Sequence, residues 1–169
     1  MRVSDYMSAS VITIEPEMEY RVAFDLMRHR NIHHLPVVRA GRIEGIVGER
    51  DLLLAGANFG PVNVPVGEIM KSPVICISER ASLSSAARML VEKRIGGLPV
   101  VNARKELVGI ITETDIFKVM AGMVRPRRKA APRGAKHTTK ARKAVAPARK
   151  PAAKARKVAS SRRRAATKK

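Results

Sequence analysis

Gly109-Ile110-Ile111-Thr112-Glu113-Thr114-Asp115 reads as a short apolar strand handing over to a helix, and the pattern appears earlier as Gly45-Ile46-Val47-Gly48-Glu49-Arg50-Asp51. In the later copy Thr112 opens the helix and Asp115 falls in its first turn. A hydroxyl, a carboxylate and free backbone N–H groups then meet at one helix N-terminus, where phosphates and polyols are readily held. Gly48 stands where the earlier copy would carry that hydroxyl. Thr-x-x-Asp is also a plain capping pattern that stabilises a helix whatever it binds. Periodicity alone favours the cap.

Working outward, the whole front of the chain is duplicated. A shift of 63 residues lays Val3 on Val66, Met7 on Met70, Val11-Ile12 on Val74-Ile75 and Leu35-Pro36-Val37-Val38 on Leu98-Pro99-Val100-Val101. One extra residue near Arg104 moves the shift to 64 and brings Gly45 onto Gly109. A match over a full period means two copies of one supersecondary unit. Each copy opens with a β-rich run, Val11 to Ile14 or Val74 to Ile77. Val22, Ala23, Leu26 and Met27, and likewise Leu83, Ala86, Ala87 and Leu90, then fall at helical spacing. The Leu-Pro-Val-Val run follows, and its proline is expected at a strand's opening or at an edge. Turns at Ala40-Gly41-Arg42 and Asn102-Ala103-Arg104-Lys105 lead into second strands, Ile43 to Val47 and Leu107 to Ile111, and closing helices start near Glu49 and Glu113. The order is β-α-β-β-α, an α/β (α+β) fold. One such unit buries too little surface to stand alone, so two are expected to pack sheet to sheet as a pseudo-twofold pair with a shared core. Residues 55–65, rich in Gly, Pro and Asn, read as the linker. The expected bounds are 7–65, 70–122 and a basic tail at 123–169.

The charge is split between front and back. Net charge is +20, yet all 14 acidic residues and 15 of the 34 basic ones precede residue 123. The tail beyond carries only basic charge among Ala and Pro, so it buries no core and is expected to be disordered in isolation. Its evenly spaced Lys and Arg resemble linker-histone tails and imply phosphate neutralisation with little sequence preference. DNA is the first choice of partner and RNA the second. A membrane partner is not expected, since the tail has no apolar face or lipidation signal. Cys76, the only cysteine, rules out an internal disulfide and reads as a buried thiol. With no apolar run near the length of a span and no signal-peptide pattern, a cytoplasmic protein is the expectation, nucleoid-associated if the tail meets DNA.

The repeat resembles the CBS domain, and residues 1–122 look like a tandem CBS pair. The resemblance is carried by Met-x-x-x-Val-Ile, the Leu-Pro-Val-Val strand and the Gly-apolar-apolar-Thr-x-x-Asp ending. It implies two symmetry-related clefts that bind AMP, ATP or S-adenosylmethionine as regulatory ligands, no required cofactor, no catalysis, and a homodimer. Carried over residue by residue, it gives Asp115 the ribose hydroxyls and Thr112 a phosphate. Ser72, Val74 and Ile75 would line the adenine, Leu98 and Pro99 would close the pocket, and Ile110 would lie on its strand. The other cleft would hold Asp51, Gly48, His33 and His34. The His pair either reaches a phosphate or forms a polar edge. Arg94 and Lys93 either add charge to the Thr112 cleft or are solvated helix-end charges.

No catalytic constellation is found. The sequence holds no Gly-x-Ser-x-Gly elbow, no Walker loop and no Cys–His–acid set. His29 and His137 fall in no ligand spacing, so no metal site is expected. The leading expectation is a non-enzymatic sensor of an adenosine-containing ligand with a nucleic-acid-binding tail. The alternative is a ligand-free dimerisation scaffold whose tail compacts or tethers DNA.

Overall fold

A computed structural model describes residues 1–127 of the 169-residue chain. The disordered, nucleic-acid-binding tail expected from composition spans residues 123–169, most of which therefore lie outside the described residues. The segment from 123 to 127 is fixed to the body: Met123 N–H donates to the Lys118 carbonyl at 2.8 Å and Arg127 N–H to the Asp5 carbonyl at 2.8 Å. Backbone bonds to the body therefore continue to Arg127.

The first repeat contains helix α1 (Tyr20–Arg30), strands β1 (His34–Arg39) and β2 (Arg42–Gly48) and helix α2 (Glu49–Phe59). The second contains β3 (Ile77–Ser78), α3 (Leu83–Lys93), β4 (Gly97–Val101), β5 (Leu107–Thr112) and α4 (Glu113–Met120). Helix α1 buries Tyr20, Ala23 and Met27, one face at spacings of three and four. Val22, expected on that face, is 41% exposed. Helix α3 buries Leu83, Ala86 and Leu90 in the same way, with the Ser82 hydroxyl accepting from Ser85 N–H at 3.0 Å as its cap. Both first helices end on a left-handed residue, Asn31 (φ +50°) and Arg94 (φ +53°).

Each hairpin is antiparallel and carries a bulge at the same place, between Val37 and Val38 and between Val100 and Val101. The turns differ. Ala40 (φ +49°) and Gly41 (φ +78°) make a two-residue turn, whereas Asn102 Oδ1 accepts from Arg104 N–H at 2.9 Å and from Glu106 N–H at 3.0 Å. That longer turn absorbs the extra residue in the second copy. Pro36 is third in its strand and lies at an edge of the two-stranded sheet, as expected. It pairs with Ile46, and Ile46 directs both its backbone bonds away, to Lys71 at 3.2 and 2.9 Å. The missing proline N–H therefore faces the side where Ile14 is the first residue to bond, through Ile14 N–H to the Pro36 carbonyl at 3.1 Å.

Two expectations fail here for the same reason. The opening strands are almost gone: repeat one keeps a single bridge, Ile14 to Val37, and repeat two keeps β3. The residues just before them cross over. Ser8 bridges Ile110 of β5, and Lys71 bridges Ile46 of β2, so each copy's entry segment pairs with the other copy's hairpin. The apolar interior divides accordingly into two clusters instead of one shared core. Val66 joins Met27, Leu35, Val37, Val47 and Leu52, while Val3 joins Leu90, Leu98, Val100, Ile111 and Ile116. The short 3₁₀ turns Val3–Asp5 and Val66–Glu68 thus complete the opposite repeat, ahead of the expected starts at 7 and 70. Where the crossing segments pass, Gly109 lies against Met7 and Gly45 against Met70, with no room for a Cβ.

The expected linker is largely structured. Helix α2 runs through Phe59, Tyr20 Oη donates to the Gly60 carbonyl at 2.6 Å, and Val64 is 6% exposed in the first cluster.

Candidate functional site

The duplicated strand-to-helix junctions each open on a cleft. In the second repeat, β5 ends at Thr112 and α4 begins. Thr112 N–H and Oγ1–H both donate to Asp115 Oδ2, at 2.9 and 2.7 Å, and Asp115 N–H donates to Thr112 Oγ1 at 3.3 Å. The box engages one carboxylate oxygen of Asp115, which lines the cleft. The cleft measures about 470 Å³, room for a nucleoside, and Ile110, Thr112, Glu113, Thr114 and Asp115 form one wall. The opposite wall is Ser8, Ser10, Val11 and Ile12, the crossing segment of the first repeat.

The first-repeat cleft measures about 400 Å³. Its junction is Gly48 to Asp51, where Gly48 N–H donates to Asp51 Oδ2 at 2.9 Å and Lys71 Nζ approaches Asp51 Oδ1 at 3.1 Å. The crossing segment contributes Lys71, Pro73, Val74 and Ile75, and Arg94 joins the lining. Ile75 is 38% exposed, an apolar side chain open beside the cleft's charged groups.

The two linings correspond position for position under the shift that defines the repeat. Val74 and Ile75 match Val11 and Ile12, Asp51 matches Asp115 and Glu49 matches Glu113. The cations do not carry over: the places of Lys71, Arg94 and Arg50 are taken by Ser8, Asn31 and Thr114 in the other cleft. Lys118 alone runs the other way.

His33 and His34 border both clefts. The His33 Nε2 stands 3.7 Å from Glu49 Oε2. The repeat shift places Gly96 opposite His33 and Gly97 opposite His34, and the His34 ring packs on both glycines. A Cβ on Gly96 would stand 2.9 Å from His34 Nε2. Burial holds the His34 imidazole below its ordinary value of 6.5; His33 and Lys71 push the same way, and Glu113 and Asp51 oppose them.

The structure rearranges the residues named from sequence. Thr112, Asp115 and Ile110 share one cleft, and Gly48, Asp51, His33 and His34 share the other. Val74 and Ile75 join Asp51 and not Asp115, because the entry segments cross between repeats. Ser72 lies outside both, its hydroxyl donating to the Glu44 carbonyl at 3.0 Å beside a third hollow that also holds half-buried Cys76. Burial raises the pKa of that thiol, with Lys105 opposing. Leu98 and Pro99 are interior strand residues and line neither cleft; Leu98 is 0% exposed. Arg94 serves the Asp51 cleft, whereas Lys93 lines neither. Sequence reasoning misses Lys71, Arg50, Ser8, Ser10 and Asn31, although the repeat shift itself points to them once one lining is known. Among the described residues no group of three or more His, Cys, Asp or Glu side chains gathers, and no helix is long and apolar enough to cross a membrane.

Two repeats that exchange entry segments around paired clefts define a tandem module. The profile of the CBS domain matches residues 3–58 and 66–122, and the chain belongs to the CBS domain family. It is 31% identical over 136 residues to a CBS domain-containing protein of Dictyostelium discoideum, covering 73% of this chain and 94% of that one. Inosine-5′-monophosphate dehydrogenase of Thermoplasma acidophilum is 40% identical over 107 residues, 63% of this chain but only 21% of the enzyme. The chain likewise spans 45% of the protein MJ1225 of Methanocaldococcus jannaschii. Among solved structures, the CBS domain pair of protein MJ0100, in complex with 5′-methylthioadenosine and S-adenosyl-L-methionine, matches with a TM-score of 0.68 and 30% identity over 73% of this chain and 98% of that one. CBSX2 in complex with AMP matches with a TM-score of 0.63 and 26% identity, over 73% of this chain and 98% of that one.

Proposed function

We propose that the chain is a non-enzymatic regulatory module that binds adenosine-containing ligands in its two clefts. One observation carries this reading: each cleft sets an acidic residue at a helix N-terminus across from a Val-Ile pair contributed by the other repeat. The carboxylate suits ribose hydroxyls, since hydrogen bonds to an ionised acceptor are the strong ones. The aliphatic pair suits the face of a purine. The adenosine ligands of the MJ0100 and CBSX2 structures support the same chemistry. AMP, ATP, S-adenosylmethionine and 5′-methylthioadenosine are the candidates.

A second reading has its own support. Asp115 is already engaged in a full capping box, which is all that a ligand-free scaffold requires of it. Calorimetric titration of the full chain with the four candidates separates the readings. The sensor reading expects saturable binding that weakens when the ligand loses its 2′-hydroxyl and disappears in Asp51→Ala/Asp115→Ala. An anion held by basic charge alone is indifferent to the 2′-hydroxyl. No saturable binding with any candidate leaves the scaffold.

The remaining parts of the proposal follow from charge and exposed apolar surface. Phe117 and Met120 on α4 are 65% and 79% exposed, and Leu53 and Leu54 on α2 are 54% and 53%, a surface suited to a second copy. The tail's uncompensated positive charge suits DNA, and a cytoplasmic, nucleoid-associated location would follow from that contact. Sedimentation equilibrium tests the dimer. DNA affinity measured across salt concentrations tests the tail.

A further inference from the structure

We infer that the two clefts sort adenosine ligands by charge: the Asp51 cleft takes a phosphorylated adenosine, and the Asp115 cleft takes an uncharged or cationic one. This deepens the adenosine-binding reading and rests on it. The two clefts share one backbone plan, so a difference in ligand must come from side chains. The difference is largest in charge; the other, Thr112 against Gly48, offers a hydroxyl whose proton already goes to Asp115 at 2.7 Å. Lys71, Arg94 and Arg50 enter the Asp51 cleft from three separate segments against Glu49 and Asp51, leaving it net positive even with both His neutral. The same three places in the Asp115 cleft are Ser8, Asn31 and Thr114, and Lys118 there is outnumbered by Glu113 and Asp115. A dianionic phosphate gains charge-assisted bonds in the first setting and meets two carboxylates in the second.

The cations are not spread where backbone sterics would put them. Arg94 occupies the left-handed position that ends α3, φ +53°, a conformation that Gly or Asn tolerates with less strain than Arg. Asn31 holds the equivalent position, φ +50°, beside the other cleft. The residue that favours the turn sits at the cleft with fewer cations, and the residue that strains it sits where a phosphate would be met. Lys71 already reaches Asp51 at 3.1 Å, so it keeps this carboxylate partly neutralised and within reach of a ribose next to an anion. Ser8 offers no such pairing at the other cleft, where the Asp115 carboxylate favours a sulfonium or a neutral nucleoside.

The test is calorimetry on the full chain with two probes, AMP and 5′-methylthioadenosine, which share the nucleoside and differ in charge. The variants are Arg94→Asn and Lys71→Ser/Arg94→Asn, each copying the other cleft's residues. Arg94→Asn relieves the left-handed arginine, so it folds at least as stably as the parent and carries the test if the double variant does not fold. The expected result is that both probes bind together, that Arg94→Asn weakens AMP by about tenfold and the double variant by more, and that 5′-methylthioadenosine is unaffected. AMP binding should also fall with added salt while the neutral probe holds. Competition between the probes for one cleft overturns the sorting, and so does AMP affinity indifferent to Arg94→Asn. In both of those cases the adenosine reading stands. If neither probe binds the parent chain, the sorting falls, and the adenosine reading falls with it when ATP and S-adenosylmethionine also fail to bind.

Discussion

The two repeats agree in what holds them together and differ in what they offer a ligand. Their hairpins bulge at the same residue pairs, their entry segments cross in the same way, and their cores are closed by equivalent valines, Val66 and Val3. Their clefts part company at Gly48 and Thr112, at Lys71 and Ser8, and at Arg94 and Asn31. Packing positions tolerate little change because a lost methylene or an added one is felt at once. Cleft positions are half solvated, and a change there costs the fold little. A duplicated fold is therefore a means of presenting two different surfaces on one frame.

The largest effects should come from the shared frame. Leu35→Ala and Leu98→Ala remove equivalent side chains, both 0% exposed, and each should cost about 2–5 kcal/mol. Chemical denaturation reads this directly, and a much smaller loss at Leu98 would return it to the cleft wall that the family resemblance assigns it. Next come Gly45→Ala and Gly109→Ala. An added Cβ meets Met70 and the Lys71 carbonyl in one case, Met7 and the Ser8 carbonyl in the other, at 3.0 and 3.1 Å from those oxygens. Each should cost about 1–3 kcal/mol, read by the same denaturation. Unequal losses would show that one crossing is tighter than its partner.

The smallest effect concerns His34, which has Gly97 as its counterpart. Its folded pKa lies below the ordinary 6.5, so near and below that value the unfolded chain binds more protons than the folded one. Its contribution is therefore full above pH 6.5 and is lost as pH falls through that value toward the folded pKa. Melting temperatures taken from about pH 7.5 to about pH 5.5 should drop more for the parent than for His34→Gln. Equal slopes would mean that the folded chain leaves the ring as easily protonated as it is in water.

Much of this frame was legible because periodicity and turn chemistry are local. The repeat, both hairpins, and helix starts at Glu49 and Glu113 all follow from spacing. The crossing was not legible, because Val11-Ile12 and Val74-Ile75 show the same alternation whichever hairpin they join. Apolar pattern reports burial and not the hydrogen-bond partner. A usable trace was present: glycine in the middle of a strand marks a close approach, and Met is a flexible filler. Gly45 and Gly109 therefore asked for a neighbour such as Met70 and Met7. Leu98 and Pro99 were misplaced for a different reason. Leu98 and Pro99 are buried in β4, and only Gly97 of that strand reaches a cleft.

The exchange of entry segments also bears on the order in which the molecule is assembled. Residues 3–8 are synthesised before any part of the core they complete, whereas Val66 arrives just after α2, in time to close the first repeat. The first repeat can therefore consolidate while the ribosome is still working, and the second must reach back for a segment made long before. Val3 can take its final place only after β5 and Ile116 of α4 have been made, so the second cluster is the later of the two to close.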